Sequence, residues 1–263
     1  MFVLIQQLLP KHLLSRFVGW LAKTENVVVK TAFINIICFF YPVDLSEAER
    51  EEKRAYRTFN DFFTRSLKPG ARHIEGRVSS PADGKVAALG PINDGTIIQS
   101  KNHDYTVNAL LAEETDEFDG GSFITIYLAP HNYHRVHVPR TSELHSARYI
   151  PGDLFSVNLS TADNLPDLFA RNERLACRFR TADGPMAEIL VGAMLVAGIK
   201  PVWLPQAYRP KLEIATEMKR VFQQGEELGQ FEMGSTVILL FSQPVEFAVK
   251  EGDLVQMGQS LTA

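Results

Sequence analysis

Gly234 and Ser235 lie near the carboxyl end, just before an apolar run. This pair could take part in a reaction that changes the chain itself. Glycine has no Cβ, so its carbonyl can be approached closely and its backbone adopts angles that other residues resist. A base that took the Ser235 hydroxyl proton would let the oxygen attack the Gly234 carbonyl and break the chain. The same pair, followed by Thr236, is more often an ordinary turn that leads into a strand. The rest of the chain must therefore supply the base.

Three of the seven histidines fall within seven residues, at His131, His134 and His137, directly after another apolar run. A histidine titrates near neutral pH, so one of them could serve as a general base. Two or three of them could instead bind zinc, but the chain has no HExxH pattern and no carboxylate at ligand spacing. A third possibility is that these side chains are only hydrogen-bonded in a loop. The residues themselves leave all three interpretations open.

A histidine base needs an orienting partner, and Asp83 is a candidate because it lies in a Pro-Ala-Asp-Gly turn at residues 81–84. An aspartate bonded to one imidazole nitrogen fixes the tautomer and leaves the other nitrogen free to accept the Ser235 proton. An aspartate in such a turn is commonly just a turn residue. Serine, histidine and aspartate are also common residues, so their presence alone gives only a hypothesis.

The overall composition is typical of a globular protein that does not bind nucleic acid. The chain has 263 residues, 45% of them hydrophobic and 22% charged, and is long enough to bury a sizeable core. Its net charge is −4, whereas a general nucleic-acid binder carries a basic surface. The two cysteines are far apart in sequence and form no disulfide framework, which favours a reducing compartment.

The first 41 residues differ in charge from the rest of the chain. They contain four basic residues and one acidic residue, a net charge of +3, which leaves −7 for the remainder. Large apolar residues at helical spacing predict helices over about 11–23 and 26–40. The longest charge-free run in this region, residues 31–43, has 13 residues, fewer than the roughly 20 needed to span a bilayer, and no signal-peptide pattern is present. Such a basic, amphipathic segment can lie in a membrane interface, or its helices can pack on the protein's own core.

The elements that must position the candidate residues change in character near residue 80. Two further helices are predicted before that point, over 46–53 and 56–67, the first of them capped by Asp44 or Ser46. After Ser79, short β-branched runs alternate with glycine, proline and aspartate, which predicts a mainly β body. The predicted strands span 85–89, 96–99, 123–128, 135–138, 187–196, 199–203, 237–241 and 245–249.

Two turns with acidic residues beside glycine, at 80–86 and 249–255, resemble the hairpins of biotinyl and lipoyl carrier domains. This resemblance favours a sandwich-like β body, and it raises the alternative that the protein is a carrier module without enzymatic activity. A carrier needs a lysine at the tip of a tight hairpin for attachment of its group. Lys85 and Lys250 stand at the edges of strands instead.

Taken together, several motifs resemble those of the phosphatidylserine decarboxylases, most closely the bacterial form, in their order and approximate spacing. They are residues 59–65 (FNDFFTR), 68–72 (KPGAR), 80–84 (SPADG), 133–137 (YHRVH), 151–158 (PGDLFSVN), 171–174 (RNER), 184–186 (GPM) and 234–236 (GST). The resemblance extends from about Pro10 to the carboxyl end. Met233 departs from it, because bacterial members usually have leucine there, but the two side chains are close in volume.

The resemblance implies that the protein makes its own cofactor. Asp83 would orient His137, His137 would take the proton from Ser235, and the serine oxygen would convert the Gly234 amide into an ester. Elimination and hydrolysis would then turn Ser235 into a pyruvoyl group and release ammonia. The products would be a large chain, 1–234, and a small chain, 235–263, that stay folded together. Neither a metal nor pyridoxal phosphate would be needed.

The implied reaction is decarboxylation of phosphatidylserine to phosphatidylethanolamine. The pyruvoyl carbonyl at position 235 would form a Schiff base with the substrate amine and accept the electrons released as carbon dioxide leaves. His134 is the candidate for binding the substrate carboxylate or returning the proton. Ser156 is a further candidate for the same pocket. Arg135 could meet the lipid phosphate, or it could be an ordinary surface arginine.

We therefore expect an α+β protein with an amino-terminal helical membrane-attachment region, 1–45, a second helical segment, 46–79, and a mainly antiparallel, sandwich-like β catalytic body, 80–263. A substrate with two acyl chains stays in the bilayer. We therefore expect the basic segment to hold the protein peripherally on the cytoplasmic side of an anionic bacterial cell membrane. Each cation near that surface contributes about 1 kcal/mol to the binding free energy. The resemblance also implies a homodimer of processed pairs. Two alternatives remain, an autoproteolytic serine hydrolase with another substrate and the carrier module.

Overall fold

The computed structural model describes residues 6, 11–100, 103–194, 198–208, 213–232 and 235–263. Within these residues, the longer helices lie at the amino-terminal end and antiparallel strands form most of the remainder. The α+β class and the β-rich body predicted from the sequence are confirmed.

Two helices, α1 (Lys11–Ala22) and α2 (Val27–Phe40), form the amino-terminal region at the predicted positions. Asn26 caps α2, because its Oδ1 accepts hydrogen bonds from the backbone amides of Val28 and Val29. One side of these helices packs on aromatic residues further along the chain. That small core contains Ala22, Ile34, Tyr56, Phe59, Phe62 and Phe63.

The helix predicted over 46–53 is wrong. Ala48 instead forms an antiparallel bridge with Leu67, and only a 3₁₀ turn, Lys53–Ala55, follows. Ala48 is the one buried residue of the charged run 47–52, so that run has no apolar stripe with which to hold a helix on the core.

The helix predicted over 56–67 is present only as the five residues of α3 (Phe59–Phe63). Thr58 caps it through a hydrogen bond from the amide of Asp61. The chain then extends to Leu67, where it pairs with Ala48. Three more short helices follow, α4 (Val107–Leu111), α5 (Leu159–Ala162) and α6 (Leu168–Arg171).

An eight-stranded antiparallel sheet forms the centre of the β body. In spatial order its strands are β10 (Ile214–Phe222), β6 (Ser142–Ile150), β7 (Arg174–Thr181), β8 (Gly184–Gly192), β12 (Ser235–Phe241), β4 (Ser122–Leu128), β1 (Gly84–Pro91) and β13 (Leu254–Val255). A three-stranded sheet consists, in spatial order, of β5 (Arg135–His137), β11 (Glu227–Phe231) and β9 (Ile199–Pro201). A two-stranded sheet consists of β2 (Thr96–Ser100) and β3 (His103–Thr106).

Alternate residues of β12 face two different cores. Val237 and Leu239 belong to the same cluster of buried apolar residues as Val136 of β5. This cluster fills the space between the central sheet and the three-stranded sheet. We call this cluster the inter-sheet core. Ile238 and Leu240 belong to a second core that the short helices and β2–β3 cover. Burial on both faces explains why β12 has a continuous apolar run rather than an alternating one.

The strand predicted over 245–249 is wrong, because in this stretch only Phe247 pairs, through a single bridge to Thr262. The sequence prediction also omitted four long or central strands, β6, β7, β10 and β11. β10 lies at the edge of the central sheet, and all but the last of its residues are at least partly exposed. Its charged residues therefore hid it from a search for apolar runs.

Candidate active site

Ser235 is the first residue of β12 and lies in the middle of the central sheet. Its cross-strand neighbours are Leu128 on β4 and Gly192 on β8. Because side chains alternate along a strand, Ser235 faces the inter-sheet core, as Val237 does. Met233 and Gly234 lie outside the described residues, so the candidate cleavage site is described only on its serine side.

The Ser235 hydroxyl is fully buried, and its Oγ has no hydrogen-bond partner among the described residues. A buried polar group left unpaired costs about 1–3 kcal/mol. Native proteins contain few such groups, and a catalytic role is one of the recognised reasons for them. Ser235 is therefore a buried strand residue with an unpaired hydroxyl rather than part of an exposed turn, and its reactive role stays a prediction.

His134 lies on the Ser235 side of the three-stranded sheet. It directly precedes β5 and is in phase with Val136 and Val138, both in the inter-sheet core. Its carbonyl accepts a hydrogen bond of 3.0 Å from the amide of Phe231, the last residue of β11. Only three residues separate Phe231 from Ser235, so His134 lies at the end of β5 nearer the serine.

The His134 ring is fully buried and carries a free nitrogen. Its Nδ1 donates to the carbonyl of Asn132 over 2.8 Å, and its Nε2 has no partner among the described residues. The ring lies 4.0 Å from that of Phe63, centre to centre. Burial, with a smaller contribution from the nearby Arg65, lowers the pKa of His134 from 6.5 to about 3. The imidazole is therefore neutral at physiological pH, with a lone pair on Nε2.

His137 lies on the opposite face of β5 from Val136. Its Nδ1 donates to the carbonyl of Gly225, and its Nε2 accepts from the hydroxyl of Tyr133, each over 2.9 Å. Burial lowers the pKa of His137 below its ordinary value. Both ring nitrogens are occupied, so the hydrogen bond predicted between His137 and Ser235 is not formed in this structure.

Asp83 is close to His137 in the fold but does not bond its ring. The amide of His137 donates to the carbonyl of Pro81, two residues before Asp83. Both Asp83 carboxylate oxygens accept from the Arg72 guanidinium at 3.0 Å, and Oδ1 also accepts from the amide of Met257 at 2.8 Å. The predicted orienting hydrogen bond from His137 to Asp83 is therefore also absent. The assignment of Asp83, His137 and Ser235 as a triad stays a prediction.

Arg135, the candidate for lipid phosphate, is engaged within the protein. Its guanidinium donates to the Thr64 carbonyl, to the Glu227 carboxylate and to the Ser66 hydroxyl, at 2.7–3.0 Å. These contacts join β5 and β11 to the segment after α3. A phosphate at this residue would have to compete with all three, and the phosphate role stays a prediction.

Ser156 is brought towards the site by a buried asparagine that sequence reasoning did not single out. Asn172 exchanges two hydrogen bonds with the backbone of Phe155, and its amide also donates to the carbonyl of Gly192. The loop that carries Ser156 is thereby tied to the neighbour of Ser235. The Ser156 amide donates to the side-chain oxygen of Gln6 over 2.8 Å, so the amino-terminal region reaches the same loop.

A buried acid, Glu173, was also missed. It directly precedes β7, its carbonyl accepts from the amide of Gly192, and its carboxyl accepts a 3.0 Å hydrogen bond from the hydroxyl of Tyr149. Burial raises the pKa of Glu173 from 4.5 to about 7. The sequence signal for Glu173 was an acidic residue directly before an apolar strand. The motif that contains it, RNER at 171–174, contributed only to the family resemblance.

The described residues contain no group of three or more histidine, cysteine, aspartate or glutamate side chains arranged to hold a metal ion. His131, the remaining histidine of the cluster, stacks on Tyr41 at 6.3 Å. On the side of the inter-sheet core, Ser235 contributes a buried hydroxyl, His134 a neutral imidazole and Glu173 a buried carboxyl group.

Comparison with protein families gives a match over most of the chain. The model described as phosphatidylserine decarboxylase matches residues 59–263, and a second, described as PSD, matches residues 1–41. The chain belongs to the phosphatidylserine decarboxylase family. The family resemblance noted from the sequence motifs is therefore confirmed.

Curated relatives match this phosphatidylserine decarboxylase family member over nearly its full length. Proteins named phosphatidylserine decarboxylase proenzyme from Alcanivorax borkumensis, Pseudomonas fluorescens and Shewanella halifaxensis are 48%, 47% and 46% identical. The alignments cover 100%, 99% and 98% of this chain, and 96%, 97% and 96% of the respective relatives. The word proenzyme in those names describes precursors that become active after processing.

Proposed function

We propose that this chain decarboxylates phosphatidylserine to phosphatidylethanolamine with a pyruvoyl group made from its own Ser235. Cleavage of the peptide bond between Gly234 and Ser235 would precede the formation of that group. The observation that carries the proposal is the buried Ser235 hydroxyl without a partner among the described residues, in a chain whose curated relatives are named proenzymes.

The surroundings of Ser235 fit a small, covalently attached group. A pyruvoyl group would occupy the place of the serine's own nitrogen, Cα and Cβ, so no separate cofactor cavity is required. Gly192 on the neighbouring strand has no side chain, and the Glu173 side chain occupies the space beside it. When formed, the group supplies an electrophilic carbonyl that binds the substrate amine and accepts electrons as carbon dioxide leaves.

His134 suits the proton transfers of the decarboxylation. The substrate amine arrives as an ammonium ion and must lose a proton before it can act as a nucleophile. The free Nε2 of His134 can accept that proton on the Ser235 side of the three-stranded sheet once the negative charge of the bound substrate has raised the low pKa of the ring. The same atom can later give the proton to the carbon that has lost its carboxylate. The surrounding apolar layer excludes water, which would otherwise supply or remove protons indiscriminately.

For the cleavage step we retain the triad of Asp83, His137 and Ser235 as our proposal, and the structure defines what it requires. His137 must exchange the hydroxyl of Tyr133 for that of Ser235. Its Nδ1 must also leave the carbonyl of Gly225 for the Asp83 carboxylate. Because His137 lies on the face of β5 turned away from Ser235, its side chain must also move to the other face of that strand.

We also propose that α1 and α2 hold the protein on an anionic membrane surface, beside its lipid substrate. Large aromatic side chains on these helices are exposed, with exposed fractions of 58% for Phe17, 67% for Trp20, 83% for Phe39 and 69% for Phe40. Within the part of the chain that the structure describes, no helix is long and apolar enough to span a bilayer. This combination is typical of helices that lie in the interface.

The proposed membrane face adjoins the site. Lys23, just after α1, donates to the Glu232 carboxylate over 2.6 Å, and Glu232 lies three residues before Ser235. A lipid headgroup held at these helices would therefore be close to the reactive position. Attachment on the cytoplasmic side and a homodimer of processed pairs remain predictions that rest on the resemblance.

The proposed activity can be tested with a carbonyl reagent. Purified protein should release carbon dioxide from vesicles that contain phosphatidylserine, and prior treatment with hydroxylamine should abolish the release. Ser235→Ala should be inactive, whereas Ser242→Ala, at a serine just beyond β12, should retain activity. Full activity of Ser235→Ala would contradict the proposal, and so would insensitivity to hydroxylamine.

A further inference from the structure

We propose that Glu173 is the proton donor of self-cleavage, giving its proton to the Ser235 nitrogen as the bond to Gly234 breaks. This role rests on the proposed cleavage at that bond. The proposed triad provides a base for the serine hydroxyl, but the departing nitrogen also needs an acid.

Glu173 and Ser235 stand in one row across the central sheet. Ser235 pairs with Gly192, and the amide of Gly192 donates to the carbonyl of Glu173 over 2.9 Å. Both side chains face the inter-sheet core, because Glu173 is in phase with Leu175 on β7 and Ser235 with Val237 on β12. Gly192 between them contributes no side chain to separate them.

The glutamate side chain lies across the space that Gly192 leaves open. A Cβ added to Gly192 would lie 2.9 Å from Cγ and 3.0 Å from Oε1 of Glu173. Neighbouring strands are about 4.8 Å apart, so the Cα atoms of Glu173 and Ser235 are separated by about 10 Å. The Glu173 side chain therefore reaches Gly192 on the strand next to Ser235, which lies one strand spacing, about 4.8 Å, further across the sheet.

The surroundings of the carboxyl keep it protonated at a pH where an exposed glutamate is ionised. Glu173 is buried, and the group that contacts its carboxyl is the hydroxyl of Tyr149 on β6. Tyr208 stacks on Tyr149 at 4.7 Å and closes that side. Arg174 faces the other side of the sheet, where it donates to the carbonyls of Ala109 and Leu110. Among the described residues, no cation therefore reaches Glu173 to stabilise its ionised form.

The atoms balance in a single step. The Ser235 oxygen forms a bond to the Gly234 carbonyl carbon, and its proton passes to the base. The bond between that carbon and the Ser235 nitrogen breaks, its electron pair stays on nitrogen, and the nitrogen takes the proton of Glu173. An amide becomes an ester and a free amine, and Glu173 becomes a carboxylate. The ester still joins the two chains until elimination at Ser235 separates them. Each chain undergoes this rearrangement once, so the acid does not have to be restored.

The test uses Glu173→Gln, which keeps the size of the side chain and an oxygen that can accept from Tyr149. The full chain is made by cell-free synthesis, and the loss of the uncut precursor is followed over time by intact mass. Removing a general acid typically slows a reaction by about 10²–10⁴-fold, so we expect cleavage of Glu173→Gln to be at least about 100-fold slower.

Glu188→Gln is the matched control. Glu188 lies on β8, is fully buried, and faces the same inter-sheet core; both its oxygens lack a partner among the described residues. Burial raises the pKa of Glu188 as well. Its cross-strand partner on β12 is Leu239, four residues from Ser235. Glu188→Gln removes a comparable acid away from the reacting bond and should leave the cleavage rate within about twofold of wild type, as expected for a group outside the reaction.

The pH dependence of cleavage separates a proton donor from a structural role. A donor works only while protonated, so the wild-type rate should fall as pH rises through about 7, the pKa of Glu173. This decline should be absent from the residual cleavage of Glu173→Gln. Tyr149→Phe removes the hydrogen bond that stabilises the carboxylate, which raises the pKa of Glu173, so the decline should move to higher pH.

The possible outcomes distinguish this inference from the function on which it rests. If the wild-type chain is not cut before Ser235, the proposed function fails. If the wild type is cut and Glu173→Gln is cut equally fast, only the role of Glu173 is overturned. Equal slowing of Glu173→Gln and Glu188→Gln would also overturn it, because loss of either acid would then act through the core.

Discussion

His134 and His137 are three residues apart, yet their side chains lie on opposite faces of β5 and have different partners. His134 has a free Nε2 on the side of Ser235, whereas both nitrogens of His137 are bonded on the other side. Substitution of one histidine should therefore impair a different step of the reaction from substitution of the other. Their separation also shows why sequence spacing alone did not reveal which of them faces the serine.

We predict that His134→Ala is cleaved normally but loses decarboxylation by about 100-fold or more, since general acid–base groups contribute about 10²–10⁴-fold. His137→Ala should instead accumulate uncut precursor, because it lacks the proposed base for Ser235. His73→Ala, at an exposed histidine, is the control and should behave as wild type. Gel analysis of the chains and carbon dioxide release measure the two steps separately. Normal cleavage of His137→Ala would remove His137 from the triad.

At the residue scale, the sequence led to Ser235 and to the histidine cluster because their types and order carried chemical meaning. It did not lead to Glu173, Gly192 or Asn172. These residues acquire their roles from strand pairing, which places Glu173 and Ser235 on either side of Gly192 although they are far apart along the chain. Long-range register of this kind cannot be deduced from local patterns.

At the element scale, helical periodicity predicted α1 and α2 well, because their apolar residues recur with a regular period. The apolar runs of β4 and β12 were equally clear, since both strands are buried on two faces. The helix predicted over 46–53 failed because Ala48 bridges to Leu67 instead. Local propensity is a weak guide where a distant segment offers a backbone partner.

The exposed aromatic side chains of α1 and α2 give an element-scale prediction. Trp20→Ser with Phe39→Ser and Phe40→Ser should reduce flotation with vesicles that contain anionic lipid by at least about tenfold, because burial of one large apolar side chain contributes about 1.5–3 kcal/mol. Substitution is preferable to deletion, since Ile34 of α2 belongs to a core that deletion would expose.

The matched control for membrane binding is Leu254→Ser, at an exposed apolar residue of β13 in the β body. It should float as the wild type does. Raising the salt concentration should weaken wild-type binding, because salt screens the attraction between basic residues and anionic lipid. Unchanged flotation of the triple variant would show that the amino-terminal helices do not attach the protein to the membrane.

At the scale of the whole molecule, the family and the α+β class followed from the sequence, because several motifs in a fixed order are far more specific than any one of them. The division into 1–45, 46–79 and 80–263 stays a prediction. The structure nevertheless joins the first of these parts to the site, through Gln6 at Ser156 and Lys23 at Glu232. The amino-terminal region thus contacts both the loop that carries Ser156 and Glu232, three residues before Ser235.

The conversion of Ser235 into a pyruvoyl group is tested most directly by the intact mass of the chains in purified protein. We predict two chains, residues 1–234 and the 29 residues 235–263, that remain together until denatured. The small chain should be lighter, by the mass of ammonia, than a peptide that begins with serine, and it should react with hydrazine. A small chain with a free serine amine, or a single uncut chain of 263 residues, would contradict the account.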